Sequence, residues 1–258
     1  MKKFDESNFQ TRRLSFIAVG LENTISLPVY KDVKDHFSLK NPVGCSNLAE
    51  YYLEYLSSTT QRHYLNTLIE AIWQHAKNID EHARIAINLV QRIPYDVDKP
   101  RFEMKYNPYT RIRYPYEVIA DNKGICCEKS LLLAFLLRES GFGVALFIFE
   151  DESHMAVGIK CPNEFSYHDT GYAFIETTAP TIATDIELYY SEINKLGVFW
   201  KMLKSSPKII PLCNGSSFDS IYQEFFDAKE WNELNEKYRF DSGYYDKRRA
   251  RLIQKYGL

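Results

Sequence analysis

The sequence predicts an α+β fold in which a buried helix packs on an antiparallel sheet, and three observations point to it. Apolar residues recur at helical spacing through the first half, from Leu65 to Val90. A nearly all-apolar run, Leu131 to Leu137, follows Cys126 and is long enough for a central helix. Three short strand-like runs then lie between residues 144 and 178, joined by polar turns. Helices first and strands later is the order of an α+β domain.

Along the chain, Leu14–Leu21 and Ile25–Tyr30 read as strands around the turn-prone Glu22-Asn23. Leu65, Leu68, Ile69, Ile72, Trp73 and Ala76 form one helical stripe. Asn78 with Glu81 three residues on makes a capping box. Ile79, Ala83, Ala86, Ile87 and Val90 form the next apolar face, which Pro94 stops. Residues 94 to 123 hold Pro94, Pro100, Pro108 and Pro115 and read as a long loop, a feature often functional inside a compact domain. The helix after Cys126 is ended by Gly141 and Gly143. Val144–Glu150, His154–Lys160 and Tyr172–Thr178 form the sheet. After Pro180 the pattern returns to helix, with Ile221, Phe225, Ala228, Trp231, Leu234 and Tyr238 in approximate phase. The expected division is an N-terminal extension over 1–45, a core over 46–185 and a mainly helical C-terminal extension over 186–258.

The 258 residues are 45% hydrophobic and 26% charged, enough to bury a core without disulfides or metals. A net charge of -2 gives no global attraction to nucleic acid or anionic membrane. No segment reaches the roughly 18 apolar residues of a membrane span. Leu14–Leu21 follows Asp5 and Glu6, the wrong flank for a basic leader. Cys45, Cys126, Cys127, Cys161 and Cys213 are an odd, scattered set, which fits free thiols in the cytoplasm rather than a disulfide framework. The basic stretch Asp246–Lys255 reads as a solvated helix face.

Cys126 follows a glycine-containing turn and opens the buried helix, where backbone N–H groups favour the thiolate. His154 opens a strand after the acidic turn Glu150-Asp151-Glu152-Ser153. Glu176 lies on the next strand, in phase with Tyr172 and Phe174. A carboxylate among Phe174, Ile175 and Thr177 needs a partner, and an imidazole N–H on the neighbouring strand supplies one. Nucleophile, base and orienter on three adjacent elements are what activating a thiol requires.

These residues carry a family resemblance. Gly124-Ile125-Cys126-Cys127-Glu128-Lys129-Ser130 with its leucine-rich continuation resembles the Gly-x-Cys-x-acid-Lys-Ser helix start of transglutaminase-like proteins. Ser153-His154-Met155-Ala156-Val157-Gly158 resembles their histidine strand, and Tyr172 to Pro180 the strand bearing their acid. Val90–Tyr95 and Tyr114-Pro115-Tyr116-Glu117 are similar to segments ahead of the cysteine in prokaryotic members. The likeness spans roughly residues 78 to 180. It implies a papain-like fold with a Cys-His-acid triad of Cys126, His154 and Glu176, acting by acyl transfer on a peptide or protein substrate without a cofactor or metal. The chain departs from the pattern at Ile125 and Cys127, where relatives carry Asp and Glu, and at Glu176, where Asp is commoner.

Asp169, in the turn Tyr167–Gly171, is the rival orienter. Oxyanion donors are the Cys126 backbone N–H and the side-chain amide of Gln91. Tyr114 and Tyr116, with the aromatic-basic segment Tyr106–Tyr114, are candidate cleft walls; single-strand nucleic-acid binding is the weaker reading of that segment. Zinc on Cys126, Cys127, His154, Cys161 and His168 has poor ligand spacing, and a Cys126–Cys127 redox pair is a further alternative to Cys127 as packing. Hydrolysis is favoured over cross-linking, because the chain lacks the length for the extra domains of the large cross-linking enzymes. A non-catalytic peptide-binding module on the same fold is the alternative from another class.

Overall fold

A computed structural model describes residues 4–42, 45–99, 111–184, 189–194, 197–237 and 246–258. It is an α+β structure built on a four-stranded antiparallel sheet and one buried helix.

The chain opens with a hairpin, β1 (Phe9–Ala18) and β2 (Leu21–Tyr30), in continuous antiparallel register from Phe9↔Tyr30 to Ala18↔Leu21. The turn is Val19-Gly20, not the expected Glu22-Asn23. Both residues have positive φ, 53° and 72°, as a two-residue hairpin of matching twist demands. A β-branched residue resists that conformation, so Val19 concealed the turn in the sequence. Helices α1 (Lys31–Ser38), α2 (Leu48–Leu56), α3 (Thr59–His75) and α4 (Ile79–Arg92) follow. The Asn78 side chain accepts from Glu81 N at 2.8 Å. The return bond of the expected capping box falls one residue earlier, from Lys77 N to the Glu81 carboxylate at 2.8 Å.

The stretch anticipated as a long loop contains α5 (Pro115–Asp121). Pro115 sits in the first turn of this helix, where a missing N–H costs nothing and its fixed φ favours helix. Residues 100–110, with most of the aromatic-basic segment, lie outside the described residues. Helix α6 (Cys126–Glu139) is buried from Leu131 through Leu137 without interruption. It packs on α4, α5 and two strands, so it has no polar face to read.

The main sheet has the order β5-β4-β3-β8, from β3 (Val144–Phe149), β4 (His154–Lys160), β5 (Tyr172–Ile175) and β8 (Lys208–Cys213). Val144, Leu146, Ile148, Met155, Val157, Ile159 and Ile175 join the core with the α6 leucines. The alternate residues Ala145, Phe147, Phe149, Ala156 and Phe174 form a second cluster with Tyr167 and Leu203 on the other face. Both faces are covered, so β3 and β4 are apolar throughout rather than alternating.

Beyond Pro180 the chain does not go straight to helix. β6 (Tyr189–Asn194) and β7 (Gly197–Met202) form a hairpin, and β8 joins the main sheet before α7 (Tyr222–Lys237) and α8 (Lys247–Tyr256). β8 is an edge strand carrying Pro211, opposite Ala145 and beside a bulge. A proline within a short apolar run hid that strand. The basic helix α8 faces acidic α7, with Arg251 on Asp227 and Glu230 and Lys255 on Asp227. Among the described residues no helix is long and apolar enough to cross a membrane.

Candidate active site

Cys126 is the first residue of α6, and the chain is led there under tight restraint. After α4, Tyr95 forms a parallel bridge with Gly124, with Asp96 N donating to Gly124 O and Gly124 N to Pro94 O. A side chain at Gly124 would press on Lys129, Val118 and Glu128 at 3.3–3.4 Å, so glycine suits this approach. Glu128 then fixes the helix start. Its fully buried carboxylate accepts from Ile125 N at 3.0 Å, Arg113 N at 2.7 Å and an Arg113 guanidinium nitrogen at 3.0 Å, and pairs with Lys99. Arg113 also holds Asp96 and Asp121.

His154 is the first residue of β4. Ser153 before it takes a positive φ of 49°, which ends the acidic turn and turns the chain into the strand. The turn is pinned by Glu152, whose carboxylate accepts from Lys204 N, Ser205 N and the Ser205 hydroxyl. The His154 Nε2 lies 2.8 Å from Glu176 Oε2. His154 and Cys126 also act on one another electrostatically, the ring lowering the thiol and the thiol raising the ring. The Ser153 carbonyl is 4.0 Å from the Cys126 Sγ.

Glu176 follows β5 and is 2% exposed. Its second oxygen, Oε1, accepts from Thr177 N, Thr178 N and the Thr178 hydroxyl, each at 2.8 Å. Burial opposes its charge, and the His154 ring and these donors outweigh that opposition to hold it below the ordinary carboxylate range. Burial likewise works against a charged His154, yet Glu176 and Cys126 raise it to about 10. The Cys126 thiol is lowered well below its usual value. The largest cause is a hydrogen bond from Cys127, burial opposes it, and His154 adds to it. Burial pushes Cys127 the other way, well above the thiol range. One of the twin thiols is therefore poised as the anion and its neighbour stays protonated within the core.

Two braces were not singled out as site residues from the sequence. The Lys129 ammonium, fully buried, donates to the carbonyls of Gln91 (3.1 Å), Ile93 (2.6 Å) and Thr178 (3.0 Å). Burial draws it down to about 7 against the charges of Glu176 and Cys126, while three carbonyls for three hydrogens favour the ammonium. The Ser130 hydroxyl donates to Met155 O at 3.0 Å and lies 3.0 Å from the Thr177 hydroxyl. Both stand just ahead of an apolar run, and a charge in a helix with no exposed face was the available signal.

Other nominated residues stand apart from this cluster. Asp169 is exposed, in a 3-10 turn with φ of 58°, while Glu176 occupies His154. Tyr114 and Tyr116 are not exposed. Both are core side chains, with Tyr114 4.6 Å from the Tyr55 ring and the Tyr116 hydroxyl accepting from Tyr30 N at 2.7 Å. They missed the surface because the helix that begins at Pro115 turns them inward. The Gln91 amide donates to Glu176 O (2.9 Å), Thr181 O and the Thr181 hydroxyl (3.2 Å each), so it braces the backbone of the acid rather than reaching toward an oxyanion. Behind Gln91, a cavity of about 270 Å³ is lined by Arg84, Asn88, Thr181, Glu224 and Tyr256, and holds none of Cys126, His154 and Glu176.

Comparison with known proteins places this site in a family. A family model described as a transglutaminase-like domain matches residues 63–190, the stretch that contains Cys126, His154 and Glu176. No curated protein and no solved structure matches the chain.

Proposed function

Because residues 63–190 carry a transglutaminase-like domain, of a superfamily whose members are generally cysteine-dependent enzymes, we propose that this chain is an acyl-transfer enzyme with a papain-like triad. It hydrolyses a peptide or isopeptide amide through a Cys126 thioester. The observation that carries the reading is His154 paired with Glu176, 2.8 Å from Nε2, and electrostatically coupled to the Cys126 thiol at the start of α6.

In the resting state Cys126 is the thiolate and His154 the imidazolium, stabilised by Glu176. The thiolate attacks the substrate carbonyl, the C–S bond forms, and charge moves to the carbonyl oxygen. The Cys126 backbone N–H, at the unsatisfied first turn of α6, is one donor for that oxygen. His154 passes its proton to the leaving amine as the C–N bond breaks. Neutral His154 then takes a proton from water, which attacks the thioester and releases the acid. The catalytic core is proposed to span residues 46–185, in a cytoplasmic protein whose five cysteines are free.

The test is reaction at about pH 6 with iodoacetamide, and separately with p-nitrophenyl acetate, followed by mapping of the adducts. Wild type and Cys127→Ser should label fast at Cys126 with both reagents, and Cys126→Ser should lose that labelling. Equal, slow labelling of both thiols would favour a peptide-binding module on the same fold instead.

A further inference from the structure

The cavity behind Gln91 lies where both ends of the chain meet α4. Its walls come chiefly from the end of β1, α4, residues 181–183, α7 and α8. The two C-terminal helices lie beyond the matched stretch 63–190. At about 270 Å³ it is larger than the roughly 150 Å³ that accommodates benzene. Ile17, Ile85, Ala183 and Phe218 make part of the wall apolar. The cations of the wall are already paired. Arg84 binds Glu224 through Nε at 2.6 Å and Nη2 at 3.1 Å, and Lys255 binds Asp227 at 2.6 Å. Glu81 accepts from Lys77 N at 2.8 Å at the head of α4, and His75 is solvent-exposed. Two polar atoms are left over. Arg84 Nη1 and Gln91 Oε1 have no hydrogen-bond partner among the described residues. Gln91 is 3% exposed, and all partners of its Nε2 are acceptors, which fixes the orientation of the amide. Neither atom is sealed from solvent as the Tyr52 hydroxyl and His82 Nε2 are. Val19, also in the wall, is 86% exposed and holds a φ of 53°, which a β-branched residue resists and a glycine does not. A strained and exposed valine indicates an apolar contact with a molecule that arrives.

We infer that this cavity is a binding site for a small neutral carboxamide with an apolar body. Its occupancy is independent of the acyl-transfer chemistry above. A carboxamide offers an N–H to Gln91 Oε1 and its carbonyl to Arg84 Nη1, the acceptor and donor that the wall leaves unmet. An ionised ligand finds no free counter-charge, because Glu224 and Asp227 already hold Arg84 and Lys255, and an unpaired buried charge is unfavourable. A pure hydrocarbon would leave both polar atoms without partners. Phe218, Ile85 and Val19 supply the apolar contacts for the body of the ligand. Gln91 gives its own N–H to Glu176 O at 2.9 Å, so the bound amide and the backbone of the acid share one side-chain amide.

Benzamide, benzoate and benzylamine have similar shapes and different charges, and each can be titrated into the full chain by calorimetry at neutral pH. Benzamide should bind with a Kd of about 1 mM, and the two ions at least about tenfold more weakly. Arg84→Lys keeps a charge facing Glu224 but has no Nη1, and should weaken benzamide about tenfold. Val19→Gly should weaken it about threefold without lowering the urea midpoint, because the strain leaves with the side chain. That variant decides the matter if Arg84→Lys does not fold. Prior alkylation of Cys126 with iodoacetamide should leave benzamide affinity within about twofold, since the cavity holds none of Cys126, His154 and Glu176. No binding of benzamide at about 20 mM overturns the site and leaves a cavity for water alone. Equal affinity for all three probes, or tighter benzoate, overturns the carboxamide assignment. Unchanged benzamide affinity in both variants overturns it too, as does binding lost on alkylation, which would place benzamide at Cys126.

Discussion

The two sides of the candidate site use their hydrogen-bonding capacity differently. On the sheet side, both oxygens of Glu176 are occupied, by His154, Thr177 and Thr178, and the backbone around it is held by Gln91 and Lys129. On the helix side, Cys126 opens α6 at the first turn and the Tyr52 hydroxyl has no described partner. A saturated carboxylate has one orientation and one charge state, so the sheet side acts as a fixed electrostatic frame. The contrast teaches that the hydrogen-bonding order of this candidate site is concentrated around its acid.

The contrast breaks most visibly at Glu176. Glu176→Gln keeps the shape but removes the charge, and turnover of amides should fall by about 10²–10⁴-fold. The sign of the pH effect follows from the His154 shift. His154 is raised to about 10 in the folded chain, so its imidazolium survives until the pH passes that value. Without the carboxylate that value falls, and the alkaline limb of the rate profile should move to lower pH; an unmoved limb would refute the pairing. The stability linked to the His154 charge is fully present below its unfolded value of about 6.5 and is lost as pH rises toward 10. That linked to Glu176 is present above about 4.5 and is lost as pH falls.

A smaller effect is expected at Lys129. Lys129→Met leaves three buried carbonyls without their donor and should lower stability by about 3–5 kcal/mol. The urea midpoint should drop with an unchanged slope. An unfolding free energy within about 0.5 kcal/mol of wild type would show that water or rearrangement replaces the ammonium. The smallest effect should come from Ser130→Ala, at about 1 kcal/mol, because it removes bonds to Met155 O and Thr177 but no charge. Iodoacetamide reactivity of Cys126 should stay within a few-fold of wild type in that variant; a larger loss would move Ser130 from the frame into the reacting set.

Long apolar periods were legible in the sequence. The stripes of α3 and α4 and the fully apolar run of α6 marked helices, since a helix repeats its burial every turn and leaves a pattern. Cys126, His154 and Glu176 could be nominated because a thiol at a helix start and polar residues within apolar strands have few ordinary explanations. What escaped was set by tertiary contact. Tyr114 and Tyr116 carry no sign of which way α5 turns them. Pro211 argues against a strand until β8 is seen at the edge of the sheet. Tyr52 is distinguished from Tyr51 and Tyr55 only by the partner its hydroxyl lacks.

The Lys129 ammonium joins the end of α4 to the segment after β5, through carbonyls 36 to 49 residues away in sequence. No part of that junction exists until the two segments have met around α6. In an extended chain Cys126 is an ordinary thiol with a pKa near 8.5, mostly protonated at neutral pH. Cys126, the proposed nucleophile, thus gains its lowered thiol pKa only on completion of the fold. A nascent or damaged chain carries a safe thiol, and the speed with which Cys126 reacts is a gauge of how many molecules in a sample have reached the native state.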